Sequence, residues 1–498
     1  MLTRIANGDS RFSFWLRVRE FAVPPSMIET ATARRCGGDW AGACAAAGVD
    51  VDVHPRSLAR THGRVLAARV RDDLRHLAPD LLRWHMPRVA PDGLLRPGLT
   101  LALARYDVED DGRAGRGPVY LVARTPPAWA DAGQRISLAL WEGSPDRADA
   151  LPRSYPHPHP NRRFRLDLHR HLWDGRRTDE LRIRSGADRR PGDGRSVPDR
   201  AQAPISEAVP PPEAALAPDP LGRLPYAHRC AVDRWAAEAR ILLRAEGRPT
   251  GTVQVRLDAR HRLSLDLTPA APAPDPTADG DELGPPALRI APAPAGRGAA
   301  GLPILPDAAT WVLPDLALLR AGAIEVDRLH PLVASALVPD HPPTARPQVP
   351  DPAGRRQPVE CRGARHRIAL VDGVLAPLDH DPAEVRREEL PAALTGTPLP
   401  CLQAIDEAHR RPNCLAGVRE RLDHGDTAGA LAVVESLLGP DALLRDGPLR
   451  DELETAALRR VTYGLFRAGL IDPGAGRIPT NHRRPRGHRP CPCHSKSR

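Results

Sequence analysis

Lysine is all but missing. Lys496 is the only one in 498 residues, so the other 70 positive charges are arginine. A phosphate-binding loop of the form G-x-x-x-x-G-K-[ST] therefore cannot be assembled, which excludes that way of gripping a nucleoside triphosphate. Aromatics are scarce at 4%. No run of about 18 apolar residues exists, which excludes a membrane-spanning helix. Residues 12–21 are broken by charges before an apolar core forms, so no secretory leader is expected. The eight cysteines, Cys36, Cys44, Cys230, Cys361, Cys401, Cys414, Cys491 and Cys493, are too sparse for a disulfide framework. Reduced thiols and a cytoplasmic location are the expectation. The common reactive signatures are missing too: no G-x-S-x-G, no H-E-x-x-H and no G-x-G-x-x-G after a strand. Whether the chain is an enzyme stays open, with the balance toward no.

What is abundant is proline, with 57 residues, about twice ordinary usage. Glycine adds 40. Folded pieces joined by proline-rich connectors follow. Residues 1–26 read as a disordered arm or an extension ahead of Met27. Residues 27–185 read as a helical start plus an antiparallel β domain, and 186–222 as a linker. A helix and β-hairpin unit covers 223–267, and a Pro/Ala linker 268–306. Short helices cover 307–339, a linker 340–357, a β-hairpin 358–381 and a helical region 382–470. Residues 471–498 form a basic, disordered tail. From Pro473 onward there are seven bases and no acid. Of the net charge of +9, only about +2 then belongs to the rest. The fold class expected is α+β: antiparallel meander and hairpin units packed with helices, a helical C-terminal region and disordered Pro-rich linkers.

Local signals set the elements. Asp39 and Asp426 precede apolar helical patterns as N-caps. Leu58, Val65, Leu66, Val70, Leu74 and Leu77 recur at helical spacing across 55–88. Leu99, Leu101 and Leu103 begin an alternating pattern that 119–123 and 136–140 continue as strands, and 164–168 is read as an added edge. Asp372-Gly373 between 365–371 and 374–378 is a hairpin turn signal. Leu449, Leu453, Ala457, Val461 and Leu465 line one face of a helix that begins at Pro448.

Two groups of residues could hold zinc. In the tail, Pro490-Cys491-Pro492-Cys493-His494-Ser495-Lys496 resembles the opening of the SEC-C zinc motif. Cys491, Cys493 and Ser495 match that pattern, His494 replaces a glycine, and the chain ends before a second ligand pair. The resemblance implies Cys491, Cys493 and His494 as ligands. The second group is His157, His159, His169 and His171. If these lie in strands, each His-x-His pair presents two imidazoles on one face. No other cofactor is indicated. Leu378-Asp379-His380-Asp381 reads as the end of a hairpin and the cap of the next helix.

Ile405-Asp406-Glu407-Ala408-His409 resembles the DEAH box of helicase-type ATPases, but the spacing of Leu402 and Ile405 predicts an exposed helix face instead. Gly38-Asp39-Trp40-Ala41-Gly42-Ala43 and Gly425-Asp426-Thr427-Ala428-Gly429-Ala430 both resemble the turn and first helix of tetratricopeptide repeats. At 425–469 that resemblance implies a helix hairpin used for protein contacts. Residues 38–49, 77–85 and 405–412 resemble a high-GC, actinobacterial-type bacterial protein family that carries no assigned function. Three readings of function remain. The first is a non-enzymatic cytoplasmic interaction or scaffold protein with protein partners. The second is a metal-binding protein or metal-dependent enzyme. The third is a nucleic-acid-associated protein acting through its basic tail by counterion release.

Overall fold

The computed structural model describes residues 9–107, 117–131, 133–142, 159–188, 229–258, 261–268, 288–293, 301–341, 357–361, 363–381, 383, 385–387 and 399–471. The chain is α+β, with small antiparallel sheets packed against helices and a helical C-terminal region.

The first part runs through α1 (Asp9–Arg17), a turn of π-helix (Val18–Ala22), α2 (Pro25–Cys36), α3 (Trp40–Ala46), β1 (Val49–Val51), α4 (Pro55–His76) and α5 (Pro79–His85). A two-stranded ribbon, β2 (Arg88–Val89) and β3 (Leu94–Leu95), leads into β4 (Thr100–Tyr106), β5 (Val119–Arg124) and β6 (Ile136–Glu142). Strands β4, β5 and β6 form the expected antiparallel meander. β1 extends it in parallel, pairing Val49 with Ile136, in the order β1-β6-β5-β4.

Three local readings need correction. The helical stretch over 55–88 is broken at Gly63, whose φ of 85° leaves the helix, and again ahead of Pro79. Its predicted face is otherwise buried, but Val65 points to solvent. Residues 9–23 are not a loose arm: Val18, Ala22 and Val23 are buried with Ile28 against Trp84. The edge at 164–168 is a 3-10 turn at Leu166–Leu168 that touches the sheet through one bridge, Ala102 to Arg165.

Next come α6 (Glu180–Ser185), α7 (Val232–Ala245), β7 (Gly251–Arg256), β8 (Arg262–Leu267), β9 (Leu288–Pro292), α8 (Asp307–Thr310), α9 (Pro314–Arg320) and α10 (Pro331–Leu337). The hairpin β7–β8 gains β9 as a third antiparallel strand, and Gln254 bonds to the segment at Pro303–Leu305. Part of the expected 268–306 linker is therefore sheet. Apolar alternation there is short (Leu288, Ile290) and proline-flanked, which hides a strand. Trp235, Ala239, Leu242 and Leu243 of α7 cover this sheet in a core of their own. Helices α9 and α10 instead join the large first core: Leu316, Leu318 and Val333 cluster with Leu81, Leu101 and Trp173.

The last part holds β10 (Gln357–Cys361), β11 (Ala364–Val371), β12 (Val374–Pro377), α11 (Pro400–Arg410), α12 (Leu415–Asp423), α13 (Thr427–Leu438) and α14 (Pro448–Arg467). β10, β11 and β12 form one antiparallel sheet, so the expected hairpin has a third strand. No helix among the described residues is long and apolar enough to cross a membrane.

Candidate metal centre

The β10–β12 sheet is built from short signals. β10 ends at Cys361, and Gly363 at φ 78° turns the chain into β11. Asp372 and Gly373, both at positive φ, make the predicted hairpin turn into β12. Beyond β12 the pairing continues through Leu378 N–H, which donates to the Arg367 carbonyl at 2.8 Å. Asp379 then accepts the Arg367 backbone N–H at 2.8 Å and its guanidinium through Nη2 at 2.7 Å. These partners hold the Asp379 carboxyl down to about 2, despite the small opposing effect of desolvation. So Arg367 pins the residue immediately before His380. Asp381 follows and accepts the Ala383 N–H at 2.9 Å, the predicted cap.

α11 begins with Pro400 at its first position and lays Cys401, Ile405 and His409 on its buried face. Cys401 and Leu399 close over Cys361 in a small core with Val359 and Leu402. The result is a convergence that spacing along the chain conceals. Sγ of Cys361, Sγ of Cys401 and a ring nitrogen of His380 all lie within 4.8 Å of one another. Both cysteines are fully buried. Burial, then the neighbouring Cys361 thiol, pushes the Cys401 thiol up. A divalent cation would reverse that, because a coordinating thiol is deprotonated outright. Two thiolates and an imidazole form a soft donor set that suits zinc.

No protein-family model, curated protein or solved structure matches this chain.

The predicted ligands fare differently. Cys491, Cys493, His494 and His157 lie outside the described residues. His171 sits in a 3-10 turn and His169 caps the junction between two such turns; neither is in a strand, and both are buried. The same-face argument for a His-x-His pair in a strand therefore does not apply to them. His169 Nε2 lies 3.2 Å from Glu238 Oε2, and its Nδ1 is 2.9 Å from the Arg165 carbonyl. Burial opposes ionisation of Glu238, but His169 and Arg184 overcome it and leave that carboxyl at about 2. His159 packs edge-on to Trp141 with centroids 5.8 Å apart. Among the described residues these histidines do not enter a ligand group.

Other candidates carry no reactive arrangement. Asp406 lies on the outer face of α11, where Arg410 and Arg445 both reach it at 2.7 Å, so the acids resembling a DEAH box sit on a helix and not at a strand tip. Burial pushes the thiols of Cys44 (to about 12), Cys230 (to about 11) and Cys414 upward, the opposite of activation. An open cavity of about 770 Å³ is lined by Arg105, Arg165, Arg170 and Arg244 together with Asp107, Asp167 and Glu246. Its charges are largely spent on each other, as in Arg105–Asp107 and Arg165–Glu246.

Sequence reasoning missed Cys361, His380 and Cys401 as a set. Each gap between them is about twenty residues, well beyond a zinc-knuckle spacing. The available signal was topological: two cysteines and a histidine at the ends of a strand, a hairpin and a helix.

Proposed function

We propose that this chain is a metal-stabilised protein-interaction protein. In this reading zinc at Cys361, His380 and Cys401 clamps the β10–β12 sheet to α11 and so steadies the C-terminal helices. The observation that supports it is the meeting of two buried thiols and one imidazole from three separate elements. A metal bound this way contributes folding free energy, since no such site exists in the unfolded chain. Purified protein should contain about one equivalent of zinc that Cys361→Ser or Cys401→Ser removes, in a background carrying Cys491→Ser and Cys493→Ser. Metal analysis finding no zinc, cobalt or iron in that background would sink the reading.

The interaction half rests on the C-terminal helices. α12 and α13 pack around Leu415, Val418, Leu422, Ala430 and Val434, while α14 exposes Leu458 and Val461. Val461 belongs to the predicted apolar face of α14 and Leu458 lies three residues before it, and both are exposed. Partner recovery from native lysate should drop when Leu458→Glu and Val461→Glu are combined; recovery equal to the wild type would count against this half.

A further inference from the structure

We infer that His366 is the fourth ligand of this centre, closing it as a Cys2His2 site that leaves no position for water or substrate. The inference rests on the metal-binding reading above. Three observations converge on His366. First, the β10–β11 register pairs Cys361 with Ala364 and Val359 with His366. Directly paired residues of an antiparallel ladder share a face, so Cys361 and His366 lie on the same face, one diagonal step apart. That step, about 7–8 Å between backbones, is within reach of a cysteine and a histidine joined through one ion. Second, the His366 ring stacks on His380 with centroids 4.1 Å apart and planes 17° from parallel. His366 is thus already beside a residue of the triad. Third, Nδ1 of His366 is buried and makes no hydrogen bond. A buried ring nitrogen left without a partner is costly, and a metal would satisfy it.

Competing donors are accounted for. Both carboxylate oxygens of Asp379 are committed to Arg367. Glu360 pairs with Arg365 across the ladder, so it lies on the opposite face from Cys361. His409 is two turns along α11 from Cys401. Charge favours an imidazole as well. Two thiolates neutralise one dication, and a neutral fourth ligand keeps the buried site uncharged, whereas a carboxylate would leave a net negative charge. Around a tetrahedral zinc, ligand atoms lie about 3.3–3.8 Å apart, given Zn–N near 2.0 Å and Zn–S near 2.3 Å. The triad needs a contraction of only about 1 Å from its 4.8 Å limit, together with a turn of the His366 ring. Four protein ligands make the centre structural, whereas a catalytic zinc keeps one position open.

Cobalt(II) titration of the full-length chain tests this, again with Cys491→Ser and Cys493→Ser so that the tail supplies no thiolate. The parent should give the intense visible absorption of tetrahedral cobalt with thiolate charge-transfer bands. His366→Ala should weaken and shift those bands and lower cobalt affinity by at least about tenfold, the loss that even an outer-shell partner commonly causes. Added imidazole should restore the tetrahedral spectrum in that variant and leave the parent unchanged. His366→Asn, with circular dichroism matched to the parent, guards against a folding defect. If the parent binds cobalt tetrahedrally and both variants keep its spectrum and affinity, His366 is not the fourth ligand while the triad stands. If the parent binds no cobalt, the triad fails and this inference fails with it.

Discussion

Buried histidines set how this protein should respond to acid. Burial, opposed by Asp315 and reinforced by Arg19, pushes His85 down to about 4. His171 is held well below its usual value, first by burial and then by His169 and Arg184. Both are therefore neutral in the folded state at pH 6.5, where the unfolded chain begins to protonate them. Between about pH 6.5 and 4 the unfolded state binds more protons, so stability falls as pH falls. For His85 alone the full effect is at most about 3 kcal/mol. Asp131 works the other way. Burial raises it to about 6, so its contribution is complete below the ordinary carboxyl value and is lost as pH rises toward 6. Burial lowers His409 and His424 as well and raises Asp307, so four histidines oppose two carboxyls and the net slope should favour neutral pH. Below about 4.5, Glu238 adds a further loss, because its folded-state value near 2 is below its unfolded one. Urea midpoints measured from pH 4.5 to 7 should rise with pH, and His85→Gln should flatten the rise. A midpoint that stays level for the wild type would refute this account.

At the scale of elements, the echo between residues 38–43 and 425–430 is structural as well as textual. Asp39 caps α3 by accepting the Gly42 N–H at 2.8 Å, and Asp426 caps α13 by accepting the Gly429 N–H at 2.9 Å. Each capping carboxylate also takes an arginine five residues earlier, Arg34 at 2.8 Å and Arg421 at 2.7 Å. Each preceding glycine has a left-handed backbone, φ 79° at Gly38 and φ 85° at Gly425. The two differ in what lies alongside. A Cβ on Gly38 would meet nothing within 4 Å, while one on Gly425 would fall 2.0 Å from the Gly133 carbonyl oxygen. Gly38→Ala should therefore cost only the backbone term, about 1–2 kcal/mol. Gly425→Ala should cost clearly more, because backbone cannot move aside as a side-chain tip can. Equal losses of denaturation midpoint in the two variants would mean that the close approach carries no weight.

The same elements show what was legible in advance. Caps, turns and the meander were readable because each depends on residues within a few positions: Asp426 with Gly429, Asp372 with Gly373, Leu101 with Leu103. The missed features depend on distant chain. β9 is a strand because β8 offers it an edge, and α14 leaves Val461 exposed because the core it shares with α12 and α13 takes in only its first turns, through Leu449, Leu453 and Ala456. Of the candidate site, only the capping role of Asp381 was visible. Cys361, His380 and Cys401 meet through the folding of a sheet onto a helix, which no local spacing encodes.

Across the whole molecule, the C-terminal helices join the N-terminal body through polar contacts more than through a shared core. Tyr463 donates to Asp50 at 2.6 Å, Arg467 pairs with Asp52, and Arg17 pairs with Glu420. The deepest link is Arg83, which is fully buried and hydrogen-bonds to no carboxylate among the described residues. Its guanidinium donates to four carbonyls: Ala22 at 2.8 Å, Gln134 at 2.5 Å, Ala47 at 3.4 Å and His424 at 2.9 Å. Burial, with Arg135 nearby, lowers it to about 10, which leaves it cationic at neutral pH. Only a planar fork with five donors can span four acceptors that come from four segments. Arg83→Met would keep much of the volume but strand those carbonyls, at a cost of about 3 kcal/mol or more. Arg83→Lys keeps the charge and loses the fork, so it should rescue little. Because His424 belongs to the C-terminal helices and the other three acceptors to the body, either variant should also separate their unfolding. Calorimetry should then resolve two transitions where the wild type shows closer coupling. A single transition at the wild-type temperature in both variants would mean that the contacts of Tyr463 and Arg467 suffice to hold the two parts together.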